Sequence, residues 1–543
     1  MRPPVFSRLA LTALFLGGLT AGGCAAVLGF EDTTLRSPND EGGIVEEGGT
    51  REEGGTTPEG GVSRLTTTPA SPIVHRGSAM DLTVAVARGT DVTGTVTVRL
   101  SDLPSGVTAT TGAIAAGATT ATLKISAAAN AVLGAKTISL SAEGTSLPPA
   151  TLMLLVADPA GALDVSFDTD GFLLDPSKGL GGTFFAVGLL GDQRIVAAGS
   201  GVAPSAGWLM RRYATNGEPD TAFNALASAA GTTPTDGKAR AIAVDAAGNM
   251  VIVGSSTAAP SPQPQLTIVK LKPTGALDTT FGGGVIRPLV AESVGGSNGL
   301  GVALQPDGAV VVVGVRRDLL GTESGVIARF ATNGARDNTF NGGASVAVTG
   351  ARFVGVSLEG GGGIFAAGST TQGALPSYFL TRRTATGAAD ATFGTNGTAS
   401  FGNTYRANAF ARLPDGSSAF VGDVQQGAPG YTAGVTGPKG NAVFARGYGN
   451  ADGAGYFGIA VQPDSRIIAA GHTSPNGEAR VGRILPDGNP DTSFSDAGAA
   501  VLDPAGSPAL DLTLFAAAVQ ADGRILAAGN RSNGGAVIYR LWP

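Results

Sequence analysis

The stretches GDQRIVAAG (191–199) and DGRILAAG (522–529) decide the fold, because they are nearly the same phrase at opposite ends of one long segment. A polar turn opens the phrase, a short apolar run follows, and a glycine closes it. The phrase recurs as AGNMVIVG (247–254), DGAVVVVG (307–314), GGGIFAAG (361–368), DGSSAFVG (415–422) and DSRIIAAG (464–471). The closing glycines Gly199, Gly254, Gly314, Gly368, Gly422, Gly471 and Gly529 stand 49 to 60 residues apart. Self-similarity at such a period marks a repeat architecture, in which each unit buries its apolar face only against its neighbours.

Working outward from the phrase, each unit divides into four strand-like runs. In the first these are 171–174, 185–190, 194–198 and 208–213. The turn between the second and third carries Asp-Gly or a relative in most copies, a strong hairpin signal. Four antiparallel strands in each of seven units predict an all-β fold, a seven-bladed β-propeller over residues 159–543. A linear solenoid is the alternative, but it would need capping repeats and none is visible.

A second phrase follows the fourth run, at Asp164–Phe167, Asp220–Phe223, Asp278–Phe281, Asp337–Phe340, Asp390–Phe393 and Asp491–Phe494, each reading Asp-x-x-Phe. The connecting sequences are RYATNGEPDTAF (212–223) and RFATNGARDNTF (329–340). The two half-motifs, recurring in order over residues 162–543, resemble the delta-sixty repeat family. That resemblance implies a propeller-like fold and lends no catalytic residues.

The array also closes on paper. The chain ends at Trp542 and Pro543 without an Asp-x-x-Phe phrase, and the array opens with Leu163–Phe167, the piece the last unit lacks. Joining both ends in one blade removes exposed sheet edges. Five residues before each turn glycine stands a base: Arg212, Lys270, Arg329, Arg382 and Arg483. Three residues after it stands an acid: Asp220, Asp278, Asp337, Asp390 and Asp491. In the fifth unit, around Gly440, both are replaced, by Val435 and Val443. Base and acid vanishing together predicts a charge-assisted contact across each turn. Across the closure Arg540 and Asp164 are expected to form it.

Ahead of the array, residues 1–23 read as an export signal: Arg2 and Arg8, an apolar core from Leu9 to Leu19, then Ala21-Gly22-Gly23. Cys24, the sole cysteine, follows at the place where a bacterial lipobox carries its lipidated residue. The resemblance implies an acyl anchor rather than a spanning helix, and Ala25 after it resembles the outer-membrane sorting choice. An exported chain with no second cysteine holds no internal disulfide. Residues 24–62 comprise this cysteine and a Gly/Glu-rich run that is too polar to fold and reads as a tether. Residues 63–158 alternate apolar and polar residues in short β-branched runs, such as Leu82–Val86 and Thr137–Leu140. They predict a β-sandwich and resemble bacterial immunoglobulin-like domains, which usually serve as spacers.

The acidic tether carries a net charge of −7, so the rest of a chain of net charge −6 sums to about +1. No basic face is visible, and nucleic acid is not expected as a partner. Chemistry is scarce. With His75 and His472 the only histidines, no catalytic residue, metal site or cofactor is assigned. Gly295–Gly299 spells GxSxG, but a strand-like run follows where a nucleophile elbow needs a helix. Asp168–Gly171 lacks the remaining ligands of a calcium loop. Two polar stretches, 255–265 and 425–431, are the candidate specificity loops. The expected function is a non-enzymatic, membrane-anchored binding or scaffolding module for protein or glycan, in the periplasm or at the cell surface. The competing class is a propeller hydrolase or lactonase with a metal in the central channel. Converging carboxylates there would favour the enzyme; a lining of Ala, Gly and Val would count against it.

Overall fold

The computed structural model describes residues 64–543 apart from 89–91, 176–181, 202–206, 229–230, 259–260, 289–294, 371–374, 403, 426–429, 449–453, 474–476, 503–511 and 532–534. Residues 1–63, with the segments read as an export signal and tether and with Cys24, lie outside the described residues. No helix among the described residues is long and apolar enough to cross a membrane.

Residues 64–157 form two sheets. One orders Arg64–Thr68, Ala79–Ala87, Thr120–Ala127 and Val107–Ala109. The other orders Ile73–His75, Ala150–Ala157, Gly134–Glu143, Val96–Ser101 and Gly112–Ile114. Leu82, Val84 and Val86 alternate inward on the first sheet, and Val96, Val98 and Leu100 on the second. They meet Leu123, Ile125, Ile138 and Leu140 in a single core between the sheets.

The array makes seven further sheets. In five of them four strands follow one another in sequence, as in Ser297–Leu304, Val310–Arg317, Glu323–Phe330 and Val346–Thr349. The last sheet takes three strands, Leu512–Val519, Ile525–Arg531 and Gly535–Leu541, and borrows its fourth from the start of the array. Phe172–Asp175 pairs antiparallel with Gly535–Leu541, Phe172 standing opposite Tyr539. The run 171–174, expected as the first strand of the first unit, is therefore the outer strand of the last sheet. Unit and sheet are out of step by one strand. The first strand of every sheet packs on the first strand of the next, and Leu512–Val519 packs back on Thr183–Leu189, so the sheets form a closed ring.

The first sheet has three strands among the described residues, Thr183–Leu189, Ile195–Gly201 and Gly207–Tyr213. Where the next phrase begins, Thr221–Ala227 forms a helix capped by Asp220, whose carboxylate accepts from the Phe223 amide. Elsewhere the third place of Asp-x-x-Phe is Ser or Thr, and its hydroxyl donates to the aspartate: Ser166 to Asp164, Thr280 to Asp278, Thr339 to Asp337, Thr392 to Asp390 and Ser493 to Asp491, at 2.6–2.7 Å. Ala222 has no hydroxyl, which leaves Asp220 free to cap a helix.

The closing glycines now have a cause. Each innermost strand carries one inserted residue, so its register against the second strand shifts there. Facing the insertion is the closing glycine. A Cβ added at any of the seven would lie 1.8–2.0 Å from a carbonyl oxygen of the inner strand. The insertion brings the backbones together, and only glycine fits.

Candidate functional site

The seven inserted residues are Phe185, Arg240, Leu300, Val354, Asn408, Phe457 and Phe515, all buried. They stand on the innermost strands and meet around the axis of the ring. Phe457 and Phe515 have ring centroids 5.8 Å apart, Phe515 and Phe185 5.0 Å, and the Arg240 guanidinium lies 4.3 Å from the Phe185 centroid. Asn408 Nδ2 donates to Asp423 Oδ1 at 2.7 Å and to the Tyr456 carbonyl at 3.0 Å. The axis is lined neither by converging carboxylates nor by Ala, Gly and Val alone. Three phenylalanines, Phe185, Phe457 and Phe515, cluster there with Arg240 against them, while Val354 packs into the core between the fourth and fifth sheets. The residue after each insertion is small (Ala186, Ala241, Gly301, Gly355, Ala409, Gly458, Ala516), because adjoining inner strands touch there; a Cβ at Gly458 would lie 2.7 Å from the Ala516 Cα.

Two places before the insertions stand Thr183, Lys238, Asn298, Arg352, Arg406, Gly455 and Thr513. Three bases from distant parts of the chain thus take the same place at one mouth of the ring, Lys238 on the strand of the inserted Arg240 and Arg352 within reach of Arg406. Arg352 Nη1 lies 3.6 Å from Glu323 Oε1 in the adjoining sheet, and Arg406 Nη2 3.2 Å from Asp423 Oδ1. Burial pushes the Arg352 guanidinium below its ordinary value, and the positive charges of Arg406 and Arg317 push the same way against Glu323. Burial, and then Arg240, lowers Lys238.

On the opposite side of the ring lie the turn nodes. Ion-pair distances are 2.7 Å for Arg212 and Asp220, 3.3 Å for Lys270 and Asp278, 2.7 Å for Arg329 and Asp337, 3.3 Å for Arg382 and Asp390, and 2.8 Å for Arg483 and Asp491. The structure brings Arg540 Nε to 2.7 Å from Asp164 Oδ2, with side chains 2% and 0% exposed. The Arg540 Nε–H is not aligned on that oxygen, so the contact is an ion pair rather than a directed hydrogen bond. Each base except Arg382 also faces its own phrase's phenylalanine; Arg540 lies 4.6 Å from the Phe167 centroid and Arg483 4.7 Å from that of Phe494. Three of them reach the next unit as well. Arg212 donates to the Pro273 carbonyl, Arg329 to that of Ala385, and Arg540 to that of Thr215. In the fifth unit Tyr431–Thr436 and Ala442–Tyr448 pair directly as a hairpin through Gly440, with a register shift at Val435 and Thr436 that passes over Val443, where the base–acid pair is lost.

The phenylalanines tie neighbours together. A Cβ on the next unit's turn glycine would strike the ring: Gly217 at 3.1 Å from Phe167, Gly387 at 3.0 Å from Phe340 and Gly440 at 2.8 Å from Phe393. Phe444 takes the same place beneath Gly488, at 2.8 Å, without an Asp-x-x-Phe phrase. The Ser/Thr at the third place of the phrase was readable as a recurrence and was missed. A second arginine on three of the acids was missed too: Arg194 on Asp220, Arg466 on Asp491 and Arg524 on Asp164. So was a second tie across the closure, where Arg211 Nε donates to Asp175 Oδ2 at 2.6 Å and Tyr213 Oη to the same oxygen at 2.8 Å. Nothing in the sequence marks Asp175, since only the borrowed strand brings it to the first sheet.

The acids respond to these contacts. Burial alone would raise Asp491, but the Ser493 hydroxyl and Arg483 outweigh it and hold the carboxyl below its ordinary value. The Thr339 hydroxyl does the same for Asp337, supported by the Thr339 amide and Arg329.

The remaining candidates fall into structural places. His75 Nδ1 lies 2.7 Å from the Asp158 carbonyl at the sandwich edge, and His472 stacks on Phe457 at 5.3 Å. Ser297 of the GxSxG is buried in an inner strand, and its hydroxyl accepts from the Leu266 amide. Among the described residues no three His, Cys, Asp or Glu side chains gather to hold a metal ion. Of 255–265, residues 259–260 lie outside the described residues, and the flanking strands Met250–Ala258 and Ser261–Leu271 pair with one another up to Ala258 and Ser261. Of 425–431, residues 426–429 lie outside the described residues. Trp208 is buried between sheets and donates to the Ser255 carbonyl. Trp542 packs against Leu155 and Ala157 of the sandwich and so joins the two parts of the chain. A cavity of about 460 Å³ beside that junction is bordered by Met153 of the sandwich and by Asn216, Gln520, Arg524 and Arg540 of the array.

This is a repeat array of β-propeller type. Residues 248–281, 305–340 and 462–494 match the family model described as "Domain of unknown function (DUF5122) beta-propeller". No curated protein matches the chain. Among solved structures, domains 4–9 of the surface layer protein SbsC align at 10% identity over 88% of this chain and 81% of that one, with a TM-score of 0.15. An E. coli alpha-2-macroglobulin aligns at 10% identity over 88% of this chain and 32% of its own, with a TM-score of 0.16. At these scores neither likeness carries an argument.

Proposed function

We propose that the protein is a non-enzymatic exported lipoprotein, lipidated at Cys24, whose seven-bladed β-propeller of delta-sixty type binds or scaffolds protein or glycan at the cell envelope. An acidic tether and an immunoglobulin-like spacer hold the propeller away from the outer membrane, in the periplasm or at the cell surface. The observation that carries this reading is the aromatic cluster at the axis. Phe185, Phe457 and Phe515 pack on one another where propeller enzymes keep a channel site. Recognition then falls to the rim of the ring and its loops.

The test has two arms. Fractionation of cells carrying the wild type and Cys24→Ala should move the protein from the membrane to the soluble fraction. Immobilised full-length chain should retain a glycan or an envelope protein saturably. Turnover of an ester, lactone or glycosidic substrate by the purified chain would overturn the non-enzymatic reading.

A further inference from the structure

Across the inserted residues of the seven inner strands and the residues two places before them there are four bases, Lys238, Arg240, Arg352 and Arg406, and no acid. They fall on the second, fourth and fifth sheets, so they form an arc around one mouth. Among the described residues two acids contact this arc, and both are shared. Glu323 serves both Arg317 and Arg352, and Asp423 serves Arg406, Asn408 and Gln425. Asp236, before the second inner strand, accepts from Thr257. In a chain of net charge −6, four bases thus stand at one mouth of the ring with shared carboxylates beside them.

Three of the four bases are arginines, whose planar forks match carboxylate and sulfate groups in pairs of parallel hydrogen bonds. Between them the strands offer neutral groups: the Thr183 and Thr513 hydroxyls and Asn298, whose Oδ1 is buried and accepts no hydrogen bond. Cations for an acid group beside neutral acceptors and hydroxyls suit a ligand that is both acidic and rich in hydroxyls. A mouth is also the wrong shape for tracking a long phosphate backbone, which calls for a basic stripe or groove.

We propose that this mouth is a binding site for an anionic saccharide, a sugar bearing carboxylate or sulfate. Lys238, Arg352 and Arg406 hold the acid group, and Asn298 meets a hydroxyl. Arg240 stays stacked on Phe185 and supplies field from below. The inference rests on the binding-module reading and gives it a ligand class and a place.

The experiment is calorimetric titration of full-length protein with four probes: an oligogalacturonate, a sulfated oligosaccharide, a neutral oligomer of similar length, and single-stranded DNA. Binding of the uronate or the sulfated probe is expected, with no heat from the neutral one. The acidic probe that binds tells carboxylate from sulfate recognition. Affinity should fall with added salt. Lys238→Ala, Arg352→Ala and Arg406→Ala should each weaken binding at least tenfold, while Lys272→Ala, exposed on the turn side, should leave it unchanged. Should an alanine variant fail to fold, Arg352→Lys and Arg406→Lys keep the charge and lose the fork, and should still lose several-fold.

Equal binding of the neutral probe, or of DNA, would overturn the proposal, as would alanine variants that fold and bind normally. If those variants still retain whatever ligand the immobilised chain captures, the mouth is not the site and the binding-module reading survives. If the wild type retains nothing, both readings fall.

Discussion

Asp164 and Arg540 lie 2.7 Å apart, both fully enclosed, although one opens the repeat array and the other almost ends it. Arg524 approaches the same carboxylate at 3.3 Å, and Ser166 donates to its other oxygen at 2.6 Å. With the strand pairing of Phe172–Asp175 and the Asp175–Arg211 contact, this node makes the ring close on itself.

Asp164→Asn should therefore cost far more than the same change at Asp337, whose side chain is 18% exposed. Removing one partner of a buried pair leaves an uncompensated charge, at about 3–5 kcal/mol, whereas partly exposed pairs contribute about 1 kcal/mol or less. Urea unfolding of the two variants measures the difference. Equal losses would mean that the closing node is no more than another turn contact.

The glycine phrase separates close approach from backbone conformation. Gly368→Ala places a Cβ 1.8 Å from the Arg352 carbonyl oxygen and should cost more than about 4 kcal/mol, because the insertion facing it cannot persist. Gly361→Ala, at φ +86° with open space around it, should cost only about 1–2 kcal/mol. Thermal unfolding of both variants checks the order.

Deleting residues 535–543 removes the strand that pairs with Phe172–Asp175 and exposes an edge on either side of the gap. The truncated chain should lose its single cooperative transition and self-associate, as read by calorimetry and light scattering. A linear array would lose only its last unit.

Acid should loosen the turn nodes. Asp278, Asp337 and Asp491 are held below the ordinary carboxylate range in the folded state. A depressed folded value means that the unfolded chain takes up protons first, near pH 3.9. Their stabilisation is complete well above that value and is lost as pH falls through the lower folded values. Denaturation midpoints should hold from pH 7 to about 5 and drop below about 4, and Asp491→Asn should flatten that drop.

How much of this was legible depends on what each residue touches. The turn pairs were readable because base and acid stand eight residues apart on either side of one turn and vanish together at Val435 and Val443. The phenylalanine beneath the neighbouring unit's glycine was not, since Phe167 and Gly217 meet only when adjoining sheets stack. The same holds for the mouth. Lys238, Arg352 and Arg406 lie in separate repeats of a chain with no basic run, and three-dimensional closure alone sets them on one arc.

The sequence by itself determined the periodic features: the repeat, its hairpins, the closing glycines and the turn pairs. These follow from local sterics and hydrogen bonding, which recur with the period. Tertiary structure decided everything that depends on which unit lies beside which. The outer strand of the last sheet comes from the first unit, Phe185, Phe457 and Phe515 cluster at the axis, and Lys238, Arg352 and Arg406 take equivalent places at one mouth. Ring closure brings distant positions together by geometry, and no spacing along the chain encodes that distance.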